Sequence, residues 1–308
     1  MDVFALVLTV AGLSLFETVS SIDNAVINAE VLSTMRERAR RWFLRWGILI
    51  AVFLLRGVLP WVIVWAAVPS LGLFGSLTAT FSSDPSVLAA IERSAPVLLV
   101  GAGTFLVFLF FHWLFLEPKN FGLRSERFFF SQGVWFYAVV SVLLAVIVWY
   151  AQQLDPLMGF SAVVGSTAFF ITHGFKQNAE QAEQRLLGSG LSDVSKVFYL
   201  EVIDATFSID GVLGAFAFTL SVPLILLGNG LGAFVVRQVT ISNIERIKRY
   251  PYLKNGAMYS ILVLGIIMLL DSFGLHVPSW LSPLTTFVIV GYFFSKSVAA
   301  ANSNPAPV

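Results

Sequence analysis

Apolar residues run along this chain in stretches of membrane length, separated by short segments where Arg, Lys, Pro, Gly and Ser collect. A helix rises about 1.5 Å per residue, so roughly 20 apolar residues cross a hydrocarbon core of about 30 Å. Nine such stretches are predicted: 3–33 (interrupted near 20–24), 43–68, 94–117, 133–152, 158–173, 197–219, 222–238, 256–273 and 280–297. VPSLGLFGSLTATFSSDP (68–85) reads as a loop, with a re-entrant segment as the second option. HGFKQNAEQAEQRLLGSGLSDVSK gives a long polar loop over 174–196, and the tail NSNPAPV is expected to be disordered. The N-terminal stretch lacks a basic n-region and an A-x-A site, so it is expected to be a retained helix. The predicted class is all-α, a polytopic transmembrane helix bundle.

Composition turns these stretches into membrane spans. Of 308 residues, 57% are hydrophobic and 12% charged, with a mean hydropathy of +0.83; soluble domains carry about 25% charged residues. The net charge of +1 is scattered in short clusters, which argues for a lipid bilayer as surroundings and no nucleic-acid partner. There is no cysteine, hence no disulfide, thiolate metal site or redox dithiol. With nine spans, 17 of the 19 basic residues fall on one side. Arg36, Arg38, Arg40, Arg41 and Arg45 follow the first span; Lys119, Arg124 and Arg127 the third; Lys176, Arg185 and Lys196 the fifth. Arg237, Arg246, Lys248, Arg249 and Lys254 follow the seventh, and Lys296 ends the ninth. Arg93 lies on the other side and Arg56 within a span. By the positive-inside rule the N-terminus is outside and the C-terminus cytoplasmic, as a multi-pass protein of the inner (plasma) membrane.

The polar positions inside the spans repeat. FETVSSIDNAV (16–26) and IDATFSIDGVL (203–213) align at one constant offset, matching Glu17 with Asp204, Ser21 with Ser208 and Asp23 with Asp210. The first span runs outside to inside and the sixth inside to outside, so the motifs sit on antiparallel helices, as in an inverted-topology repeat. The predicted organisation is a first repeat (1–117), connecting helices and loop (118–196), a second repeat (197–273), then a final helix and tail (274–308). At 100° per residue Glu17, Ser21, Asn24 and Asn28 share one helix face, as do Asp204, Ser208 and Gly211, with Glu201 one turn earlier. Asp23 and Asp210 fall off that face in a regular helix. Unwinding at Ser-Ile-Asp would return them to it and free carbonyls for a cation.

Each intramembrane acid costs at least about 2.5–3.5 kcal/mol on the insertion scale. Glu17, Asp23, Glu201, Asp204 and Asp210 exceed what Arg56, the candidate charge partner, neutralises. Cations, protons or both must complete the balance. The donors are hard oxygens, which suit Mn²⁺, Ca²⁺ or Mg²⁺. The candidate ligands are therefore Glu17, Ser21, Asp23, Asn24, Glu201, Asp204, Ser208 and Asp210, with Asp23, Asp204 and Asp210 as direct metal ligands. No prosthetic group is implied. Plainer roles stand beside these: the acids as caps or polar glue, and Ser21 and Ser208 bonding back to their own helix. His112 reads as a polar residue between helices, His173 and Lys176 as interfacial, and Asp271 as interfacial. GNGLG (228–232) suggests close helix packing, with Asn229 a secondary candidate. FLVFLFFHWLF (105–115) reads as lipid-facing bulk.

Together FETVSSIDNAV, LEVIDATFSIDGVLGAF (200–216) and YLKNGAMYSILVLGIIMLL (252–270) resemble the TerC family of integral membrane proteins, within the LysE-like transporter group. The resemblance implies divalent-metal transport, chiefly Mn²⁺ efflux, with a historical link to tellurium resistance. It maps the family's acidic positions to Glu17, Asp23, Asn24, Glu201, Asp204 and Asp210; Gly211 stands where many relatives have Ser. The expected function is a transporter exporting a divalent cation through a midplane acidic site. The alternative is a scaffold or metal-delivery protein without transport of its own, docking a cytoplasmic protein through 174–196. An intramembrane enzyme is not expected. Ser-Ile-Asp-Gly does not resemble the Gly-x-Gly-Asp of intramembrane aspartyl enzymes, and no His-Glu-x-x-His or Gly-x-Ser-x-Gly occurs.

Overall fold

The computed structural model describes residues 3–47, 50, 56–79, 85–119, 122–188, 192–242 and 250–303; the predicted tail lies almost wholly outside them. Every regular element among these residues is helical. The first part holds α1 (Val3–Ser20), α2 (Ile22–Ser33), the short α3 (Glu37–Trp42), a π-helical turn (Phe43–Gly47), α4 (Leu59–Ala67) and α5 (Gly72–Thr78). The remainder holds α6 (Pro85–Leu116), α7 (Arg124–Ser131), α8 (Phe136–Leu154), α9 (Pro156–Gly188), α10 (Asp193–Ala215), α11 (Val222–Ser242), α12 (Leu253–Ser272) and α13 (Leu281–Ser303). Six helices among the described residues are long and apolar enough to cross a membrane, or seven if one bent pair counts as a single span. A multi-pass helical membrane bundle accommodates them.

The core is built around α6, which packs along both α9 and α12. Small residues let these backbones approach. A Cβ on Gly103 would lie 3.0 Å from the Gly265 carbonyl oxygen of α12, and one on Gly165 of α9 would overlap the Gly101 carbonyl. Ser161 Oγ of α9 donates to the Val97 carbonyl of α6 at 2.6 Å, adding a hydrogen bond across that crossing.

The Phe-rich run 105–115 corrects one expectation. Phe105, Phe108, Phe110, Trp113 and Phe115 are buried, not lipid-facing. Phe105 and Phe108 meet Phe169 of α9 edge-on, and Phe110 and Trp113 pack on Tyr259 of α12. Hydropathy gives no warning of this, because a lipid tail and a neighbouring helix are equally apolar.

Three further expectations change. Residues 174–188, read as loop, continue α9; KQNAEQAEQRLL is made largely of good helix formers with no Pro or Gly to stop it. The unwinding at Ser-Ile-Asp is found as a one-residue break in the first motif, at Ser21 within the predicted interruption near 20–24, and is not found in the second. α10 runs through Ser208–Asp210 without a break, and Ser208 Oγ donates back to the Asp204 carbonyl at 2.6 Å. Between α1 and α2 the irregularity is confined to Ser21, and Ser21 N still bonds the Glu17 carbonyl at 3.1 Å. Lastly, 68–78 is helical, not loop: α4 and the segment Pro69–Thr78 meet at 105°, a bend made at Val68 and at Gly72, whose φ is 67°. A broken span or a re-entrant segment has this form.

The two acidic motifs come together because α1 lies along α11, and α10 packs against α1, α2, α6 and α11.

Candidate functional site

Glu17, in the last turn of α1, stands where the helices carrying the two motifs meet, and it is 1% exposed. Two glycines make its seat. A Cβ on Gly211 of α10 would lie 2.5 Å from Glu17 Oε2, and one on Gly232 of α11 2.6 Å from Glu17 Cβ. One turn back along each contact, Gly214 receives Phe16 and Gly228 receives Leu13. No side chain larger than hydrogen fits at these positions without moving the acid or its neighbours.

Arg56 reaches the same carboxylate from the turn of π helix that leads into α4. Its Nη2 lies 2.7 Å from Glu17 Oε1, with the two side chains 5% and 1% exposed. Ser21 Oγ donates to that oxygen at 2.6 Å and accepts from Arg56 Nη2 at 3.5 Å. Asp204 and Asp210 of α10 are within electrostatic range of Glu17, and Asp204 is within range of Glu201. Of these acids, Glu17 is the one shown to pair with the guanidinium. Glu201 presses on the π turn, where a Cβ on Gly47 would overlap Glu201 Oε1.

The polar capacity of the site is not used up. Glu17 Oε2, Glu201 Oε1, Asn28 Oδ1, Arg56 Nε and both amide atoms of Asn229 are buried without a hydrogen-bond partner among the described residues. Buried polar atoms are normally satisfied, so such a concentration points to water, an ion or a change of conformation. Among the described residues no three His, Asp or Glu side chains converge closely enough to hold a metal ion. The side chains of Asp23 and Asn24 lie outside the described residues. The motif serines part company: Ser21 belongs to the cluster, whereas Ser208 bonds back to its own helix.

A second polar cluster was not singled out from the sequence. It gathers where α6 ends, α7 begins and α12 begins. Glu126 of α7 is fully buried; its Oε2 accepts from Leu123 N and from Asn255 Nδ2, both at 2.8 Å. Lys254 Nζ pairs with Glu117 Oε2 at 2.6 Å. Lys119 donates to the Trp113 carbonyl and stands 3.9 Å from the centre of its ring. Burial pushes the Lys119 ammonium down to about 8, against the pull of Glu117 and Glu126. The signal was available in part. Glu126 sits at the third helical position after Leu123, where a carboxylate caps the backbone, and Lys254 and Asn255 belong to the YLKNGAMYS stretch. Nearby, the His112 and His173 rings lie 3.7 Å apart centre to centre, which joins α6 to α9.

The model of a family described as "Protein of unknown function (DUF475)" matches residues 22–304. The matched range takes in Arg56 and the acids of α10 and opens just after Ser21. No curated protein and no solved structure matches the chain.

Proposed function

Given that the chain belongs to the family described as protein of unknown function DUF475, whose description carries no activity, we propose a function from the site itself. The protein is an integral membrane transporter that exports a divalent cation, with Mn²⁺ as the first candidate and Ca²⁺ or Mg²⁺ as the others. The observation that carries this reading is a group of acids in electrostatic range of one another inside an apolar bundle: Glu17, buried and paired with Arg56, buried Asp204, and half-buried Asp210 and Glu201. Carboxylates in such surroundings are costly unless a cation compensates them. The donors are oxygens throughout, as a hard divalent cation requires. The resemblance to TerC proteins agrees in substrate class.

In this reading Asp23, Asp204 and Asp210 are direct ligands, and Glu17 and Glu201 are ligands or proton acceptors. The first three and the sixth to eighth predicted spans form two inverted halves. Their packing supports this: α1 lies along α11 and also touches α12, while α10 touches the Phe43–Gly47 turn, α4 and α6. Exchange of the two halves converts each of these relations into the other. The C-terminus and the basic residues face the cytoplasm.

The test is elemental analysis of Mn, Ca, Mg, Fe and Zn in metal-loaded host cells expressing wild type, Asp210→Asn or nothing. Lower cell Mn with the wild type alone, at matched expression, is the expected result. No change in any metal would remove the exporter and leave the scaffold reading.

A further inference from the structure

The short helix α7 has two unlike faces, and the outer one is bare. We propose that Arg124 and Arg127 on this face, with the aromatic turn that follows it, form a docking surface for an anionic phospholipid. The guanidiniums take the headgroup phosphate and the aromatic side chains take the start of the acyl chains. Such a surface requires only the membrane setting of the bundle, whether or not the protein moves a cation.

The chain itself fixes where α7 lies. α6 and α8 are both apolar spans, and the short connection 117–132 holds α7 at the membrane surface where the two spans end. α8 is a peripheral span, packed on α6 and α9. Trp135 and Tyr137 are exposed at its start, and Trp149 and Tyr150 near its end. Exposed Trp and Tyr at both ends of a span mark the two membrane interfaces, so α7 sits at headgroup depth.

Charge selects the occupant. Two acids lie between α6 and α8, and both are engaged elsewhere. Glu117 pairs with Lys254, while Glu126 is fully buried and accepts from Leu123 N and from Asn255 Nδ2. Arg124 and Arg127 are exposed, and neither forms an ion pair among the described residues. The basic cluster after α2 differs: Arg36 lies 3.9 Å from Asp193, and Arg41 3.6 Å from Glu37. At 100° per residue Arg124 stands about 160° round α7 from Glu126. The carboxylate therefore ties the helix inward while the guanidinium faces away. A guanidinium matches phosphate oxygens through two parallel hydrogen bonds.

Beside these cations the surface is apolar. Phe128, Val134 and Trp135 are 62%, 90% and 60% exposed. A phospholipid offers phosphate and hydrocarbon together, and free phosphate offers only the first. Occupancy bears on the inner face too. Glu126 ties α7 to Asn255 at the start of α12, and the Phe129 ring lies 5.4 Å from that of Phe115 at the end of α6. A lipid that holds α7 in place thereby holds the junction of α6 and α12.

The experiment uses full-length protein in detergent, with phosphatidylglycerol and phosphatidylcholine at equal concentration as probes, and counts retained lipids by native mass spectrometry. Each basic residue at an anionic surface is worth about fivefold in binding, so the wild type is expected to prefer phosphatidylglycerol by roughly tenfold or more. Arg124→Gln/Arg127→Gln is expected to bring the two lipids within about twofold of each other. Arg38→Gln/Arg40→Gln, which removes two exposed cations after α2, should keep the wild-type preference, and excess inorganic phosphate should not displace the lipid. A wild type without the preference, or an Arg124→Gln/Arg127→Gln protein that keeps it, overturns the proposal. Equal loss in Arg38→Gln/Arg40→Gln overturns it as well, since total charge would then be the cause. Displacement by inorganic phosphate overturns it by making the surface a free-anion site. Should the double variant fail to fold, Arg124→Gln and Arg127→Gln decide singly: a drop of about fivefold in either supports the docking surface, and no change in both overturns it.

Discussion

Glu17 shows how much one side chain can depend on what its neighbours lack. Its position is set by hydrogen atoms: Gly211 beside the carboxylate and Gly232 beside Cβ and Cγ of the stem. Gly211→Ala would place a methyl group 2.5 Å from Glu17 Oε2 and push the acid off Arg56. Alanine gains up to about 1 kcal/mol over glycine as a helix former. Overpacking costs about 1–3 kcal/mol, and breaking a buried ion pair about 3–5 kcal/mol. Loss should win, so the thermal midpoint of purified Gly211→Ala protein is expected to fall below that of Gly291→Ala, where the space is open. Equal midpoints would mean that Glu17 does not depend on this seat. At this scale the acids and Arg56 were legible because charge is rare in the spans. The difference between Ser21 and Ser208 was not. Both occupy the same motif position, and only the neighbours present around each decide whether the hydroxyl turns to Glu17 or to its own helix.

Element by element, the existence of the long apolar helices could be read from length and hydropathy, while their ends and faces could not. α6 starts at Pro85, nine residues before the predicted span, because proline is well placed at a helix start. α9 continues to Gly188 because its polar extension has the composition of a helix that needs no core. The Phe-rich face of α6 turned inward for a reason its hydropathy does not carry: glycines on α6, α9 and α12 that let the three helices approach closely. That dependence can be measured. Gly165→Ala is expected to destabilise the protein clearly, since its methyl group would overlap the Gly101 carbonyl. Gly174→Ala, with open space on the same helix, should be neutral or mildly stabilising. If thermal unfolding of the two variants is indistinguishable, the α6–α9 crossing is not the tight contact described above.

For the molecule as a whole, the basic residues predict a sidedness that a cysteine-free chain makes simple to test. Single cysteines at two exposed positions, Arg38→Cys after α2 and Gln153→Cys at the end of α8, lie on opposite sides in the proposed topology. A membrane-impermeant maleimide should label Gln153→Cys from outside intact cells, and Arg38→Cys only after permeabilisation. The reverse pattern would invert the orientation and turn export into import through the same site. Glu126, the Glu117–Lys254 pair and the two histidines belong to this scale as well. Each joins helices far apart in sequence, so no local pattern announces the pairing.

Membrane class, the absence of thiol chemistry and the twice-occurring acid–Ser-Ile-Asp pattern followed from the sequence by itself, because each depends on composition or local order alone. Which side chains meet was decided only by tertiary packing. Arg56 is 39 residues from Glu17 in the chain and Asp204 nearly 190. Their approach depends on glycines that let α10 and α11 close on α1, and on an apolar bundle in which lipid-facing and inward-facing surfaces have the same hydropathy. In such a bundle, close steric fit and the pairing of scarce polar groups choose the arrangement.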